Sequence, residues 1–252
     1  MGGLAVSKRV WVEHHMGMPM SIHVLGADPH RHEVDRAVGA AYRELERMDE
    51  IFSTWAPDSQ VSRLRRGELA LTDCDPLVAE AAALGEQARV VTAGAFCTDL
   101  PDPDGVCRFD PTGLVKGWAV QRAGRELTGL PGVSWCINAG GDVLAGRHAH
   151  VPPNGADARP WRIGIEDPHD RTRIAQVVQL LDGGVATSGT AARGAHLVDP
   201  RTGAQIGRPG STSVVGPDLL WADIWATALF VGDGLTRAAF AAHAAAYQVI
   251  DL

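Results

Sequence analysis

Helical and strand patterns are mixed along this chain without regular alternation, and this feature most restricts its possible folds. Apolar residues from Val34 to Phe52 recur at the spacing of an amphipathic helix. The second half instead has short apolar runs punctuated by glycine and proline, which is typical of strands. A doubly wound sheet needs strands and helices in succession. We therefore expect an α+β fold with mixed or antiparallel sheets and packed helices.

The same patterns predict the individual elements. Residues 10–25 alternate, with Met20, Ile22 and Val24 on one face, which indicates a strand. Asp28 and Pro29 are typical of a helix start, and that helix is expected to end near residues 55–58. Further helices are predicted at 76–92, 114–128, 219–231 and 235–246. Residues 97–108 are predicted to form a loop, and further strands are predicted at 133–138, 161–166, 174–181, 184–188, 195–199, 211–216 and 247–251.

The length and composition indicate one substantial globular domain. The chain has 252 residues, of which 45% are hydrophobic and 21% charged, and such a chain can bury a large core. We expect an N-terminal tail at residues 1–9 and a single domain at 10–252. The formal net charge of −7 argues against a nucleic-acid partner held by charge.

The sequence shows neither a membrane-spanning segment nor a cysteine spacing typical of metal sites. The apolar run from Leu219 to Gly232 contains Asp223 and is shorter than the roughly 20 residues that a membrane span requires. The N-terminus shows no apolar signal-peptide core, so we expect a cytoplasmic protein with a cytoplasmic partner. The four cysteines lack metal-binding spacing. This spacing favours free thiols, and a single disulfide is the alternative.

Two polar segments lie at predicted helix starts. Asp223 and Thr227 are four residues apart, so their oxygens share one helix face and suit a hard cation such as Mg²⁺. The alternative is that Asp223 only interacts with the helix N-terminus. Lys116 is one of two lysines in the chain and follows Asp110 into a predicted helix. A helix start with a lysine attracts phosphate, although an ordinary exposed lysine is the alternative.

Two further segments are marked by glycine. Paired glycines between Asn138 and Asp142 allow close approach of a ligand, but a simple hairpin turn fits equally well. Residues 184–189 precede a stretch that begins at His196 and continues as Asp-Pro-Arg-Thr-Gly at 199–203. That stretch favours a turn between strands, and a lone histidine in a strand is more often structural than catalytic.

In this order and spacing, these segments resemble the ApbE family of FAD:protein FMN transferases. The resemblance covers residues 10–251, nearly the whole chain. The matching stretches are Met16-Gly17, residues 52–59, 94–96, 110–117, 138–142, 186–189, 196–203 and 222–227.

The resemblance implies a fold, a reaction and roles for particular residues. The fold would be a single T-fold-related domain. The reaction would be Mg²⁺-dependent transfer of the FMN moiety of FAD to a threonine or serine hydroxyl of an acceptor protein, with release of AMP. Asp223, Thr227 and the backbone carbonyl of Gly113 would bind the metal. The FAD-binding residues would be Met16, Trp55, Ala95, Phe96, Cys97, Lys116, His196 and Leu197.

Lys116, Asp223 and His196 are the implied catalytic residues, and either Asp223 or His196 is a candidate proton acceptor. Cys97 stands where the family has an aspartate, for which Asp99 or Asp102 could substitute. Two alternatives stay open. One is an FAD pyrophosphatase that yields FMN and AMP, and the other is a non-catalytic FAD-binding protein.

Overall fold

The computed structural model of the protein describes residues 6–101, 105–148, 159–190 and 197–252. Within these residues the helices are α1 (His32–Phe52), α2 (Gln60–Arg65), α3 (Pro76–Val91), α4 (Thr112–Thr128), α5 (Leu219–Val231) and α6 (Gly234–His243). The strands are β1 (Ser7–His15), β2 (Met18–Gly26), β3 (Asp99–Pro101), β4 (Cys107–Phe109), β5 (Val133–Ala139), β6 (Asp142–Arg147), β7 (Trp161–Asp167), β8 (Asp170–Leu180), β9 (Gly183–Gly189), β10 (Ser211–Gly216) and β11 (Gln248–Asp251).

One large antiparallel sheet organises the described residues. Its seven strands follow the order β1-β2-β5-β6-β9-β10-β11, and every neighbouring pair is antiparallel. The β3–β4 and β7–β8 pairs form separate two-stranded hairpins. This architecture confirms the predicted α+β class with antiparallel sheets and packed helices.

The two faces of the large sheet are covered differently. Alternation in β2 directs Met20, Ile22 and Val24 to one face, where they are fully buried against the helical layer formed by α1, α4 and α5. The opposite face is covered by the β7–β8 hairpin, whose Ile165 and Leu180 pack in a second cluster with residues of β5, β6 and β9. The sheet is therefore the middle layer of the fold.

The N-terminal segment forms a hairpin rather than one strand. Met16 and Gly17 connect β1 to β2, and both have positive φ angles, 52° and 71°, as in the tight turns that match strand twist. Residues 7–9, expected to belong to a tail, are the start of β1. Helix α1 begins at His32, not at Asp28-Pro29. The Asp28 carboxylate accepts the backbone N–H of His30, so it closes a turn instead of capping the helix.

Other predicted boundaries differ where turn residues dominate. Helices at 76–92 and 114–128 are confirmed as α3 and α4. The β3–β4 hairpin begins in the segment 97–108, which is predicted to be a loop, and α2 lies where no element is predicted. The strand predicted at 195–199 is wrong for its described part, residues 197–199. Only an isolated bridge joins Val198 to Gln205, because the chain turns back immediately after it.

Two further expectations concern cysteines and membranes. Cys74, Cys97, Cys107 and Cys136 are all described and all free, which confirms the free-thiol interpretation. Among the described helices, none combines the length and the apolar character needed to cross a membrane.

Candidate active site

The predicted site residues that the structure describes surround a single cavity of about 910 Å³. Its walls come from the β1–β2 turn, the loop after α1, the start of α4, the middle of α5, β9 and the β7–β8 hairpin. The predicted residues that line it are Met16, Trp55, Ala95, Phe96, Cys97, Gly113, Lys116, Leu197, Asp223 and Thr227. His196, the remaining predicted residue, lies outside the described residues.

Asp223 is held where α5 crosses α4. Its side chain is buried, and its Oδ2 accepts the backbone N–H of Gly117 at 3.1 Å. A Cβ at Gly117 would lie 2.9 Å from the Asp223 Cβ and 3.1 Å from the Leu219 carbonyl oxygen. The absence of a side chain at residue 117 therefore lets the two helices approach closely enough to position this carboxylate.

Lys116 lies between two buried carboxylates. Its ammonium forms a close ion pair with Oδ2 of Asp142 and is 3.6 Å from Oδ1 of Asp223. Asp142 is only 2% exposed, and its Oδ1 accepts the backbone N–H of Thr187 at 3.0 Å. Asp142 therefore fixes the lysine and links it to the sheet.

Sequence reasoning missed Asp142 as a site residue. Its place after two glycines, at 140 and 141, is equally typical of a hairpin turn. The structure does place that turn between β5 and β6, with the Gly141 N–H donating to Asn138 Oδ1 at 3.0 Å. The same geometry directs the Asp142 side chain toward Lys116. A useful signal would have been the pairing of a rare lysine with an acidic residue in another glycine-marked segment.

The environment of Asp223 opposes its ionisation. Burial raises the pKa of this carboxyl, and so does the negative charge of Asp142, whereas Lys116 and the Gly117 N–H lower it; the net result is a pKa of about 7. Lys116 alone thus does not offset the cost of burying two carboxylates. Additional positive charge in the cavity would favour the ionised form of Asp223.

The oxygen donors near Asp223 suit a hard cation. Thr227 lies one turn after Asp223 on α5, and its Oγ1 is 2.7 Å from the Ser188 Oγ on β9. Gly113 lies in the first turn of α4 and also lines the cavity. A carboxylate, hydroxyls and a carbonyl are ligands that Mg²⁺ accepts together with substrate phosphates. The described residues contain no group of three or more His, Cys, Asp or Glu side chains that could hold a metal ion.

Apolar side chains also line the cavity. Met16 is held in its left-handed conformation by donation of its backbone N–H to Asp49 Oδ2 at 2.7 Å. Ala95 and Phe96 are buried, and the Phe96 N–H donates to Thr92 Oγ1 at 3.1 Å. Trp55 is 92% exposed at the rim. An apolar floor beside an exposed indole suits a flat aromatic ligand.

Cys97 also lines the cavity, and its thiol contacts the backbone of Asp99 rather than a carboxylate. Its Sγ accepts the backbone N–H of Asp99 at 3.3 Å and lies 3.5 Å from the Asp99 carbonyl oxygen. Asp99 itself is not among the described residues that line the cavity, and Asp102 lies outside the described residues. The thiol therefore supports a tight turn at the position where the resemblance implies a carboxylate.

The segment after residue 196 forms a braced turn beside the cavity. Arg201 donates from Nε and Nη2 to the two carboxylate oxygens of Asp199, at 3.0 and 2.9 Å, and from Nη1 to Asp233 at 3.1 Å. The hydrogen bonds from Arg201 hold the pKa of Asp199 below its ordinary value. Leu197 and Pro200 of this turn contribute to the cavity wall.

Replacing Asp199 by asparagine is expected to destabilise the protein by about 1–2 kcal/mol at neutral pH, because a charge-assisted bidentate pair is lost. A lowered folded-state pKa gives stability that is present above the unfolded-state pKa and is lost as pH falls. The difference between wild type and variant should therefore begin to fall below about pH 4, near the unfolded-state pKa, and vanish only below the lowered folded-state pKa of Asp199. Urea unfolding at several pH values measures it. Asp58→Asn, at an exposed position, is the control, and an equal pH dependence in both variants would contradict the assignment.

Comparison with known proteins identifies the family. The model of the ApbE family matches residues 97–250. The FAD:protein FMN transferase of Klebsiella pneumoniae is 26% identical over 268 residues, covering 86% of this chain and 76% of that protein. That of Salmonella typhimurium is 31% identical over 143 residues, covering 53% of this chain and 38% of that protein.

Solved structures share the fold. The ApbE protein of Thermotoga maritima superposes with a TM-score of 0.77 at 19% identity, covering 97% of this chain and 94% of that one. The flavin transferase ApbE of Vibrio cholerae gives 0.74 at 20% identity, covering 98% and 94%. The fold is thus common to chains of low identity, and the family match spans more than half of this sequence. The chain belongs to the ApbE family.

Proposed function

We propose that this protein transfers the FMN moiety of FAD to a threonine or serine hydroxyl of an acceptor protein and releases AMP. The observation that carries this proposal is the arrangement of Lys116, Asp223 and Thr227 in the wall of a cavity of about 910 Å³ that Met16, Ala95 and Phe96 also line. Such a cavity can accept the flavin and a pyrophosphate at once. The curated relatives described above have this activity in their names.

The reaction requires neutralisation of the pyrophosphate. In the proposed step, the acceptor hydroxyl oxygen forms a bond to the FMN-side phosphorus, the bond from that phosphorus to the AMP oxygen breaks, and AMP leaves. Lys116 binds the phosphate oxygens. Asp223, Thr227 and the Gly113 carbonyl would hold Mg²⁺, which supplies further charge neutralisation when bound.

The acceptor hydroxyl must also lose its proton. Asp223 and His196 are the two candidates for the proton acceptor, because both belong to the segments that resemble the family site. Substitution of His196 by alanine separates the roles. A fall in kcat with unchanged FAD affinity supports His196 as the base, whereas weaker FAD binding alone supports a role in the pocket.

Product analysis tests the proposed function. The protein is incubated with FAD, with and without Mg²⁺, in lysate fractions from its own organism, and covalent flavin is detected by in-gel fluorescence. We expect Mg²⁺-dependent AMP release with a fluorescent protein band, and a cytoplasmic acceptor predicts that band in the cytoplasmic fraction. AMP with free FMN and no labelled band would indicate a pyrophosphatase. Intact FAD bound to the protein would indicate a non-catalytic flavin binder.

Trp55→Ala is expected to raise the Kd for FAD about tenfold through loss of aromatic stacking. The melting temperature should stay within about 1 °C, because a side chain that is 92% exposed contributes little to the core. FAD fluorescence titration and a thermal melt measure the two quantities. Trp55→Phe retains a ring and should recover most of the affinity. Equal affinity in wild type and Trp55→Ala would remove Trp55 from the flavin site.

A further inference from the structure

The first strand leaves a long edge of the large sheet without a partner strand in the described residues. β1 lies at the end of the strand order, and its register with β2 runs unbroken from Ser7–Gly26 to His15–Met18. Proteins usually protect such edges with prolines, bulges, charges or very short strands. β1 has nine residues and contains neither a proline nor a bulge; its charged residues are Lys8, Arg9 and Glu13. The opposite edge strand, β11, has only four residues.

The turn geometry fixes which backbone groups of β1 face outward. In a two-residue hairpin the residues that flank the turn, His15 and Met18, form a hydrogen-bonded pair. The odd-numbered residues of β1 therefore bond to β2, and the N–H and C=O groups of Lys8, Val10, Val12 and His14 point away from the sheet. We call this row of groups the β1 edge. Two of these residues also have exposed side chains: Val10 is 44% exposed and Val12 is 59% exposed.

We propose that a second copy of this chain pairs with the β1 edge, antiparallel and about a two-fold axis at Trp11. In this register Val10 lies opposite the partner's Val12, and Val12 lies opposite the partner's Val10. These are the residues whose backbone groups face outward, so the pairing forms about eight backbone hydrogen bonds without breaking any to β2. The exposed valines of both copies become covered cross-strand pairs.

Charge complementarity selects this register and a second copy as the occupant. Arg9 lies opposite the partner's Glu13, and the symmetry gives this pair twice. In the pairing between the two copies, Arg9 and Glu13 occupy non-hydrogen-bonded positions, where opposing side chains lie closest. A register shifted by two residues would place Arg9 opposite Trp11 and lose both ion pairs. Two antiparallel copies of β1 are thus complementary in charge.

The position of Arg9 is already fixed within one copy. Its Nη2 lies 2.8 Å from Asp35 Oδ1 on α1, and its guanidinium stacks 4.4 Å from the Trp11 ring. Glu13 pairs with His15 at 3.2 Å, and its side chain is half exposed. The preorganised arginine can therefore accept a second carboxylate from the partner at little entropic cost.

The proposal also places the partner near the cavity. With Trp11 on the axis, the partner's Val6, which directly precedes its β1, lies opposite Met16, which lines the cavity. The two large sheets continue into one another, and the helical layers lie on the same side. The interface therefore lies at the rim of the proposed flavin site. Of the predicted flavin-binding residues, it involves only Met16.

Solution mass measurements test the proposal. We expect sedimentation velocity of the full chain, from about one to one hundred micromolar, to show a monomer–dimer equilibrium. Hydrogen exchange should show slower exchange at Val10 and Val12 as the concentration rises. A monomer at every concentration would overturn the proposal.

Charge exchange gives the sharper test. Glu13→Arg should raise the dimer dissociation constant about tenfold or more, since each dimer contains the altered pair twice. The double variant Arg9→Glu with Glu13→Arg should restore dimerisation. Glu80→Arg makes the same charge change at an exposed position of α3 and should have no effect. Thermal melts establish that each variant folds, and Val12→Lys serves in place of any that does not. A dimer unaffected by both Glu13→Arg and Val12→Lys would show that another surface mediates association.

Discussion

Asp223→Asn is expected to lower the rate of FMN transfer by at least a thousandfold, which corresponds to about 4 kcal/mol of transition-state stabilisation. The amide keeps an acceptor for the Gly117 N–H, so the α4–α5 contact should remain. It lacks the negative charge needed to hold a divalent cation against the pyrophosphate. Single-turnover AMP release with saturating FAD and Mg²⁺ measures the loss.

Stability separates this effect from damage to the fold. Because burial opposes ionisation of Asp223, a neutral side chain of the same shape should leave the melting temperature unchanged or higher. Thr227→Ser keeps a hydroxyl at the neighbouring predicted ligand and should retain most of the activity. Mg²⁺-dependent turnover by Asp223→Asn at the wild-type rate would contradict the role proposed for this carboxylate.

Gly117→Ala is expected to destabilise the protein by about 2–3 kcal/mol, because the new methyl group would meet the Asp223 Cβ at 2.9 Å and the Leu219 carbonyl at 3.1 Å. For a chain of this size the melting temperature should fall by roughly 5–10 °C. The forced separation of α4 from α5 should also displace Asp223 and reduce FMN transfer, even at temperatures where the variant is folded.

The same helix supplies a matched control for this substitution. Gly129 follows the end of α4 with a helical backbone, and a methyl group added there would meet no described atom within 4 Å. Gly129→Ala should therefore be neutral or slightly stabilising, through reduced unfolded-state entropy. Thermal melts of both variants make the comparison. Similar behaviour of the two would mean that the α4–α5 contact yields more easily than its distances indicate.

Several elements could be predicted from the sequence because local signals agreed with tertiary packing. Helix α3 begins at Pro76 with Asp75 as its N-cap, as the residue types predict. Strand β10 is predicted with the observed bounds, 211–216. Prediction was poorer where the same residue types favour more than one local structure. Asp28-Pro29 fits both a helix start and a turn, and the structure contains the turn. Strand order depends on contacts between distant segments, which periodicity does not encode.

Part of the site could also be predicted, because its residues lie in short segments with recognisable sequence patterns. Family-like segments located the residues from Met16 to Thr227 that line the cavity. They did not reveal that Lys116 is bound by Asp142, or that the Ser188 hydroxyl meets Thr227. These contacts join β6 and β9 to the helices. They follow from the sheet order, which the linear pattern left undetermined.

The pairing of β2 with β5 has a consequence for how the protein acquires its binding ability. Gly26 pairs with Val133, so this ladder closes a loop that contains α1 to α4, and such distant pairings form slowly during folding. Asp223 and Thr227 are contributed by α5, which follows β10 in the sequence. The cavity therefore cannot be complete before α5 has docked, and recovery of FAD binding during refolding should follow the slowest kinetic phase.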